Sequence, residues 1–190
     1  MHNSKEFIEL IKKGDKNAFQ ELVEFSKDRI YNTCLALLQN NEDAEDQTQE
    51  VFITVFHSIH QFKGDSTLQT WIYRIAVNKC KDFLKKKNAK KRLSFLTSLL
   101  KNETVELAVN FEHPGIVLEK KENAKILFEA LKELPENQKI AFTLNKIENL
   151  SYQEIADTMQ VSLSSVESLI FRAKTNMKKI IEKKYPEMKK

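Results

Sequence analysis

The sequence predicts an all-α protein: two small helical domains joined by a linker, the C-terminal one a helix-turn-helix. Three observations carry this. Glycine and proline are scarce, 3 of each in 190 residues, where average usage puts the two together at roughly 12%. Hairpins and short strand-to-helix loops depend on those residues, so sheet topologies lack their turns. Apolar residues instead recur at spacings of three and four, the period of a helix with one buried face. At 41% hydrophobic the chain can bury a core, which excludes a disordered protein. The glycine count also excludes Gly-rich phosphate cradles. No apolar run approaches the ~20 residues of a membrane span, and Met1 to Gly14 lacks the apolar stretch and small-residue end of a signal peptide. The chain is therefore expected in the cytoplasm, without membrane insertion.

Taken in order, Met1 to Lys13 is amphipathic through Phe7, Ile8, Leu10 and Ile11, and Gly14 can end it in a left-handed cap. Asp15 restarts a helix that runs to Gln39, with Phe19, Leu22, Val23, Ile30, Cys34, Leu37 and Leu38 facing the core and Asn40-Asn41 stopping it. A helix over 42–60 opens with Glu42, Asp43, Glu45 and Asp46, where the helix dipole favours negative charge. It continues with Val51, Phe52, Val55, Phe56 and Ile59 on one face. Gln61 to Thr67, with Gly64, reads as a loop, and Leu68 to about Arg92 as a long helix. Residues 93–118, with the turn His113-Pro114-Gly115, read as a linker between domains at 1–92 and 119–190, although Leu93, Phe95, Leu96, Leu99 and Leu100 imply that part of it packs. Helix resumes from about Glu119 to Glu133 and restarts at Pro135. Ser151 and Glu154 then form a capping box, a turn falls at Thr158 to Val161, and Ser162 caps the last helix. Cys34 and Cys80 lie far apart in sequence at apolar positions without CxxC spacing, which reads as reduced, buried thiols.

The net charge of +4 conceals an uneven distribution: −5 over residues 1–62, +8 over 63–92, −2 over 93–118 and +3 over 119–190. The basic block is an electrostatic footprint for phosphate. The acidic block before it repels nucleic acid and suits a basic protein surface.

Two stripes carry the functional reading. At 100° per residue Trp71, Arg74, Asn78, Lys81 and Lys85 share an arc of about 80°, while Leu68, Ile72, Ile75, Ala76 and Phe83 take another face. An aromatic ring at the head of a cationic ridge suits single-stranded or melting nucleic acid, since the ring stacks on a base and the cations follow the backbone. The same pattern also fits a solvated charged face with Trp71 half-buried. Lys79 falls within the apolar arc, so it must snorkel or the core contact must thin out there. Near the C-terminus Val166, Ile170, Ala173 and Met177 form the buried side of the last helix. They leave Ser165, Ser168, Arg172, Thr175 and Lys179, with Ser164 beside them, on the face a major groove would meet. A plain helical hairpin is the alternative here.

The combination resembles the extracytoplasmic-function group of bacterial sigma factors, the promoter-recognition subunits of RNA polymerase. The blocks that carry the resemblance are Gly14-Asp15 to Ala18-Phe19, Glu42 to Phe52, Phe62-Lys63-Gly64 with Thr70 to Asn78, Leu131 with Leu134-Pro135, Leu150 to Ala156, and Val166-Glu167-Ser168 running to Arg172-Ala173-Lys174. The resemblance implies that Asp46, Gln49 and Glu50 dock on a basic coiled coil of the polymerase core. It implies that Lys63, Asp65, Ser66, Trp71, Arg74, Asn78 and Lys81 open and hold the minus-ten element, where stacking and base-edge hydrogen bonds offset unstacking. Ser164, Ser165, Ser168, Arg172, Thr175 and Lys179 would then read the minus-thirty-five element as duplex. The partners implied are the polymerase core, promoter DNA and an anti-sigma factor, with the chain a monomer.

Three residues depart from the family pattern: Gln47 replaces an apolar residue, and Asn149 and Gln160 replace glycines. A left-handed backbone at Gln160 would cost roughly 1 kcal/mol. Leu163, Leu169 and Phe171 add apolar groups to a usually more polar helix, either for thymine methyls or for another protein. A stand-alone helix-turn-helix regulator is the alternative function, and it leaves the acidic face unexplained. No enzyme is expected, and no cofactor or metal: His57 and His60 are three apart without HExxH spacing, and Glu45 and Asp46 have no partner to raise a pKa.

Overall fold

A computed structural model describes residues 4–101 and 118–186, with 93–101 and 118–123 described by backbone alone. Among the described residues there are eight α-helices and no strand: α1 (Lys5–Lys12), α2 (Lys16–Leu38), α3 (Asn41–Ser58), α4 (Leu68–Lys101), α5 (Leu118–Glu133), α6 (Glu136–Lys146), α7 (Tyr152–Met159) and α8 (Leu163–Lys184), with a 3-10 turn at Ile59–Gln61. The caps fall on residues whose side chains reach back to orphan N–H groups. Asp15 accepts from the Ala18 N–H at 3.0 Å, Asn40 from Asp43 at 2.8 Å and Ser162 from Ser165 at 3.2 Å. Ser151 and Glu154 form the expected capping box. Gly14, at φ +83°, lets the chain leave α1 and enter α2 directly.

Two boundaries differ from expectation. The backbone of α4 continues to Lys101, so helix occupies the first part of the stretch expected as linker, while α5 begins at Leu118, close to the expected start at about Glu119. Neither glycine nor proline occurs between Gly64 and Pro114, so neither of the strongest helix breakers is available to stop α4 at Arg92. The His113-Pro114-Gly115 turn and the packing expected of Leu93 to Leu100 lie outside the described residues. Pro135 is the N-cap of α6 rather than its first residue.

In the N-terminal domain, α2, α3 and α4 pack around Leu22, Ile30, Leu35, Val51, Val55, Leu68, Ile72 and Ala76, all buried. Each of these Leu, Ile and Val side chains contributes roughly 1.5–3 kcal/mol by leaving water. Phe56, expected on this apolar face, is instead 48% exposed and meets the Phe19 ring edge-on at 5.1 Å. Cys34 and Cys80 are brought together in this core. Both are buried free thiols, and their mutual hydrogen bond lowers the Cys34 pKa and raises that of Cys80, as when Cys80 donates. In the C-terminal domain α5 to α8 enclose Leu131, Ile140, Leu144, Ile155, Val166 and Ile170. Val166, Ile170, Ala173 and Met177 form the buried side of α8, as expected.

Candidate nucleic-acid interface

The loop from Phe62 to Thr67 joins the 3-10 turn to α4. Gly64 turns it at φ +83°, which leaves Lys63 and Asp65 exposed and Ser66 half-buried. Thr67 closes the loop by accepting from the Thr70 N–H at 3.1 Å, and this fixes the first turn of α4 and the direction of Trp71. The indole is half-buried and its ring centroid lies 5.5 Å from that of Phe62. One face is thus held while the residue stays at the surface. Asn78 and Lys85 are exposed about two and four turns further on.

The rest of the ridge is engaged. Arg74 donates to the Asp157 carbonyl of α7 through Nε at 3.1 Å and Nη2 at 2.7 Å. Lys81 lies 3.9 Å from Glu136 at the start of α6. The expectation of a continuous open ridge is therefore corrected: in this arrangement its middle faces the other domain. Lys79 does not merely snorkel but reaches Glu50 on α3 at 3.3 Å.

Asp46, Gln49 and Glu50 are all exposed on α3, and of the three carboxylates and amides only Glu50 has a described ion-pair partner, Lys79. Asp43 on the same helix pairs with Lys87 of α4. His57 and His60 are both exposed, and the His57 ring rests edge-on against Phe56.

On α8, Ser164, Ser168, Arg172, Thr175 and Lys179 are exposed and Ser165 is half-buried, since its N–H and hydroxyl both meet the Ser162 cap. Phe171 shares this outward side and is 72% exposed. Leu169, by contrast, packs against the core. The turn between α7 and α8 is Gln160 to Ser162, the last of which caps α8. Gln160 adopts φ 55°, ψ 48°, the left-handed geometry that glycine usually supplies, and Asn149 does the same at φ 58°.

Sequence reasoning missed the residues that join the two domains. Tyr73 of α4 is fully buried, and its hydroxyl donates to Glu148 Oε2 at 2.6 Å. Burial and then this carboxylate push the phenol well above its ordinary pKa. Arg29 of α2 donates from Nε to the same oxygen at 3.2 Å and from Nη2 to the Glu148 carbonyl at 2.7 Å, with its guanidinium 5.7 Å from the centre of the Tyr73 ring. Only the buried phase of Tyr73, adjacent to Ile72 and Ala76, was available as a sequence signal. Nothing marked Glu148 or Asp157 as its counterparts.

Comparison with known proteins places both halves. Residues 22–90 match the family model of sigma-70 region 2 and residues 124–177 that of sigma-70 region 4. The chain is 31% identical over 183 residues to the RNA polymerase sigma-H factor of Pseudomonas aeruginosa, covering 93% of each. It is 33% identical over 176 residues to the ECF RNA polymerase sigma-E factor of Escherichia coli, covering 88% of each. Among solved structures, the fold matches the sigma factor RpoE of Bartonella quintana, determined in complex with the anti-sigma factor NepR, with a TM-score of 0.69 and 18% identity over 86% of this chain and 96% of that one. Two sigma-70 domains in order, and full-length relatives above 30% identity, make the chain a member of the extracytoplasmic-function group of the sigma-70 family.

Proposed function

We propose that this sigma factor binds the bacterial RNA polymerase core through the exposed acidic side of α3, with Asp46, Gln49 and Glu50 as contacts, and directs it to promoters by two DNA surfaces of different kind. Lys63, Asp65, Ser66, Trp71, Arg74, Asn78 and Lys81 take the minus-ten element as an opened strand. Ser164, Ser165, Ser168, Arg172, Thr175 and Lys179 read the minus-thirty-five element as duplex. The observation that carries this is the pairing, in one chain, of a surface Trp heading a basic ridge with a helix-turn-helix whose outward face leaves Ser164, Ser168, Arg172, Thr175 and Lys179 exposed, with Phe171 among them. Stacking plus cations suits single strands, while a helix with serines and an arginine on its free face suits a major groove. The domains so assigned are 1–92 and 119–190. The family role requires no reaction of the chain's own, and the site of action is the cytoplasm, where the polymerase works. No helix among the described residues is long and apolar enough to cross a membrane. By analogy with the Bartonella complex, an anti-sigma factor is the expected regulator.

Gel filtration of the chain with core polymerase at moderate salt tests the proposal. Co-elution is expected for the wild type and its loss for Asp46→Lys, which reverses a charge without removing a described contact. If the wild type elutes alone, or Asp46→Lys still co-elutes, the polymerase contact is misassigned.

A further inference from the structure

The interface between the two domains is built around a buried charge. Glu148 is 3% exposed, and the hydrogen bonds its carboxylate accepts come from Arg29 and Tyr73, both of the N-terminal domain. A carboxylate removed from water costs several kcal/mol unless a partner is supplied, and here the partners come from across the domain boundary. The second contact is more telling for function. Asp157 lies in the last turn of α7, where carbonyls lack intrahelical donors, and Arg74 satisfies its carbonyl with two N–H groups. Two of the five guanidinium N–H donors are spent in this way, and the side chain is directed at α7 rather than along the ridge. Lys81 is turned toward Glu136 by the same apposition. The polar outward face of α8, with Ser164, Ser168, Arg172 and Thr175, remains exposed throughout.

Resting on the function proposed above, we propose that in the free chain the minus-ten ridge of α4 is a docking surface for the chain's own C-terminal domain, latched by Glu148 on Arg29 and Tyr73 and by Asp157 on Arg74. The closure is asymmetric: the strand-capturing surface is covered while the duplex-reading face stays open. Polymerase binding competes with the latch, because separated boxes on DNA require separated domains. The closed fraction also weakens apparent affinity for the core, since only open molecules are competent.

The test uses the full chain and three proteins: wild type, Arg29→Glu, and the charge swap Arg29→Glu with Glu148→Arg. Arg29→Glu sets two carboxylates against each other at the latch, and the swap restores an opposite pair. Helix content by circular dichroism is required to match in all three. Small-angle scattering is expected to give the wild type and the swap a radius of gyration near that of a compact chain of this length, about 16 Å, and Arg29→Glu a radius several ångströms larger. A labelled mixed-sequence single-stranded 20-mer should bind Arg29→Glu at least threefold more tightly than wild type. A 90% closed population would improve its apparent core-polymerase Kd about tenfold on opening. A wild-type chain that is already extended, or an Arg29→Glu variant as compact as wild type, overturns the latch. If the radii behave as expected but none of the three proteins binds core polymerase, the latch stands and the assignment of function fails.

Discussion

The turn of the helix-turn-helix carries a conformational cost that a single substitution should relieve. Gln160 sits at φ 55°, ψ 48°, where a Cβ approaches the following carbonyl oxygen at a cost of roughly 1–2 kcal/mol. Gln160→Gly removes that cost and adds the larger backbone entropy of an unfolded glycine, roughly 0.5–1 kcal/mol. The side chain is exposed and the hydrogen bonds of the turn come from backbone, with the N–H groups of Gln160 and Val161 both donating to the Ala156 carbonyl. Nothing else is lost, so the net is a stabilisation of about 0.5–1 kcal/mol, or a rise of about 1–4 °C in Tm if the chain unfolds as one unit. The other two non-glycine residues with positive φ act as internal controls. Asn149 is of a type that tolerates the left-handed region, and Gln39 recovers part of its cost through Nε2 donating to the Ala36 carbonyl at 2.7 Å. Asn149→Gly and Gln39→Gly should therefore leave Tm within about a degree or lower it. Thermal melts by circular dichroism at one scan rate decide the matter. A lower Tm for Gln160→Gly, or equal gains at all three positions, would refute the strain argument.

Trp71→Ala removes a stacking platform worth about 1–3 kcal/mol per base. Closed-complex formation on duplex promoter DNA should survive it while permanganate reactivity of unpaired thymines falls, and equal losses in both would show that Trp71 serves only packing against Phe62. Arg172→Ala should weaken duplex binding by about 1–3 kcal/mol in a gel-shift titration and leave binding of single strands unchanged. Lys139, partly buried beside Ile140 and Leu134 at the edge of a cavity of about 120 Å³ between the domains, has its pKa lowered by burial. The folded chain thus binds this proton more weakly than the unfolded one, and the penalty acts at neutral pH and disappears toward the ordinary lysine value of 10.5. Lys139→Met should raise Tm at pH 7 by an amount equivalent to about 0.5 kcal/mol, and its advantage over wild type should shrink as the pH is raised toward 10.5. A constant advantage across pH would show that packing, not the buried charge, is responsible.

The helices and their caps were legible because they depend on local spacing. Asp15, Ser151 and Ser162 each stand at the start of a helical period, and their side chains have only to reach three residues ahead, whereas Asn40, read only as the stop of α2, also caps α3. The buried side of α8 followed from period alone. The end of α4 was not legible, since charge accumulates toward Lys91 and Arg92 without any residue that forbids continuation, and repelling lysines on an exposed helix cost only tenths of a kcal/mol each. The candidate site was half legible. The arc containing Trp71, Arg74, Asn78 and Lys81 is a local property, but which members are free depends on a domain more than fifty residues away. Glu148 and Asp157 are unremarkable acids in the sequence. Their role comes from Asn149 turning the chain with φ 58° and from α7 presenting its carboxyl end to α4, neither of which any periodicity encodes.

The opposite charges of α3 and α4 pose a physical question that the structure resolves. The acidic side proposed to meet protein and the basic ridge proposed to meet DNA occupy adjacent packed helices, and at physiological salt their fields extend about 8 Å, so each would weaken the other's attraction if they merged. A seam of neutralising pairs runs between them instead: Lys79 with Glu50 and Lys87 with Asp43, the latter lysine also 5.4 Å from the Phe83 ring centre. Each pair is partly exposed and contributes little to stability alone. Their effect is spatial. They draw the basic residues that fall nearest α3 away from DNA, and leave Asp46 and Gln49 on one side and Trp71, Arg74, Asn78 and Lys81 on the other. The seam also fixes the angle between the two surfaces, because both helices share the core of Val51, Val55, Ile72 and Ala76. On the proposed assignment, a polymerase docked on α3 would thus hold the ridge at a set orientation to the DNA path. Breaking the seam with Lys79→Ala should leave Tm within about 1 °C, and should weaken DNA opening only when polymerase is present, since the loss is one of alignment and not of a DNA contact.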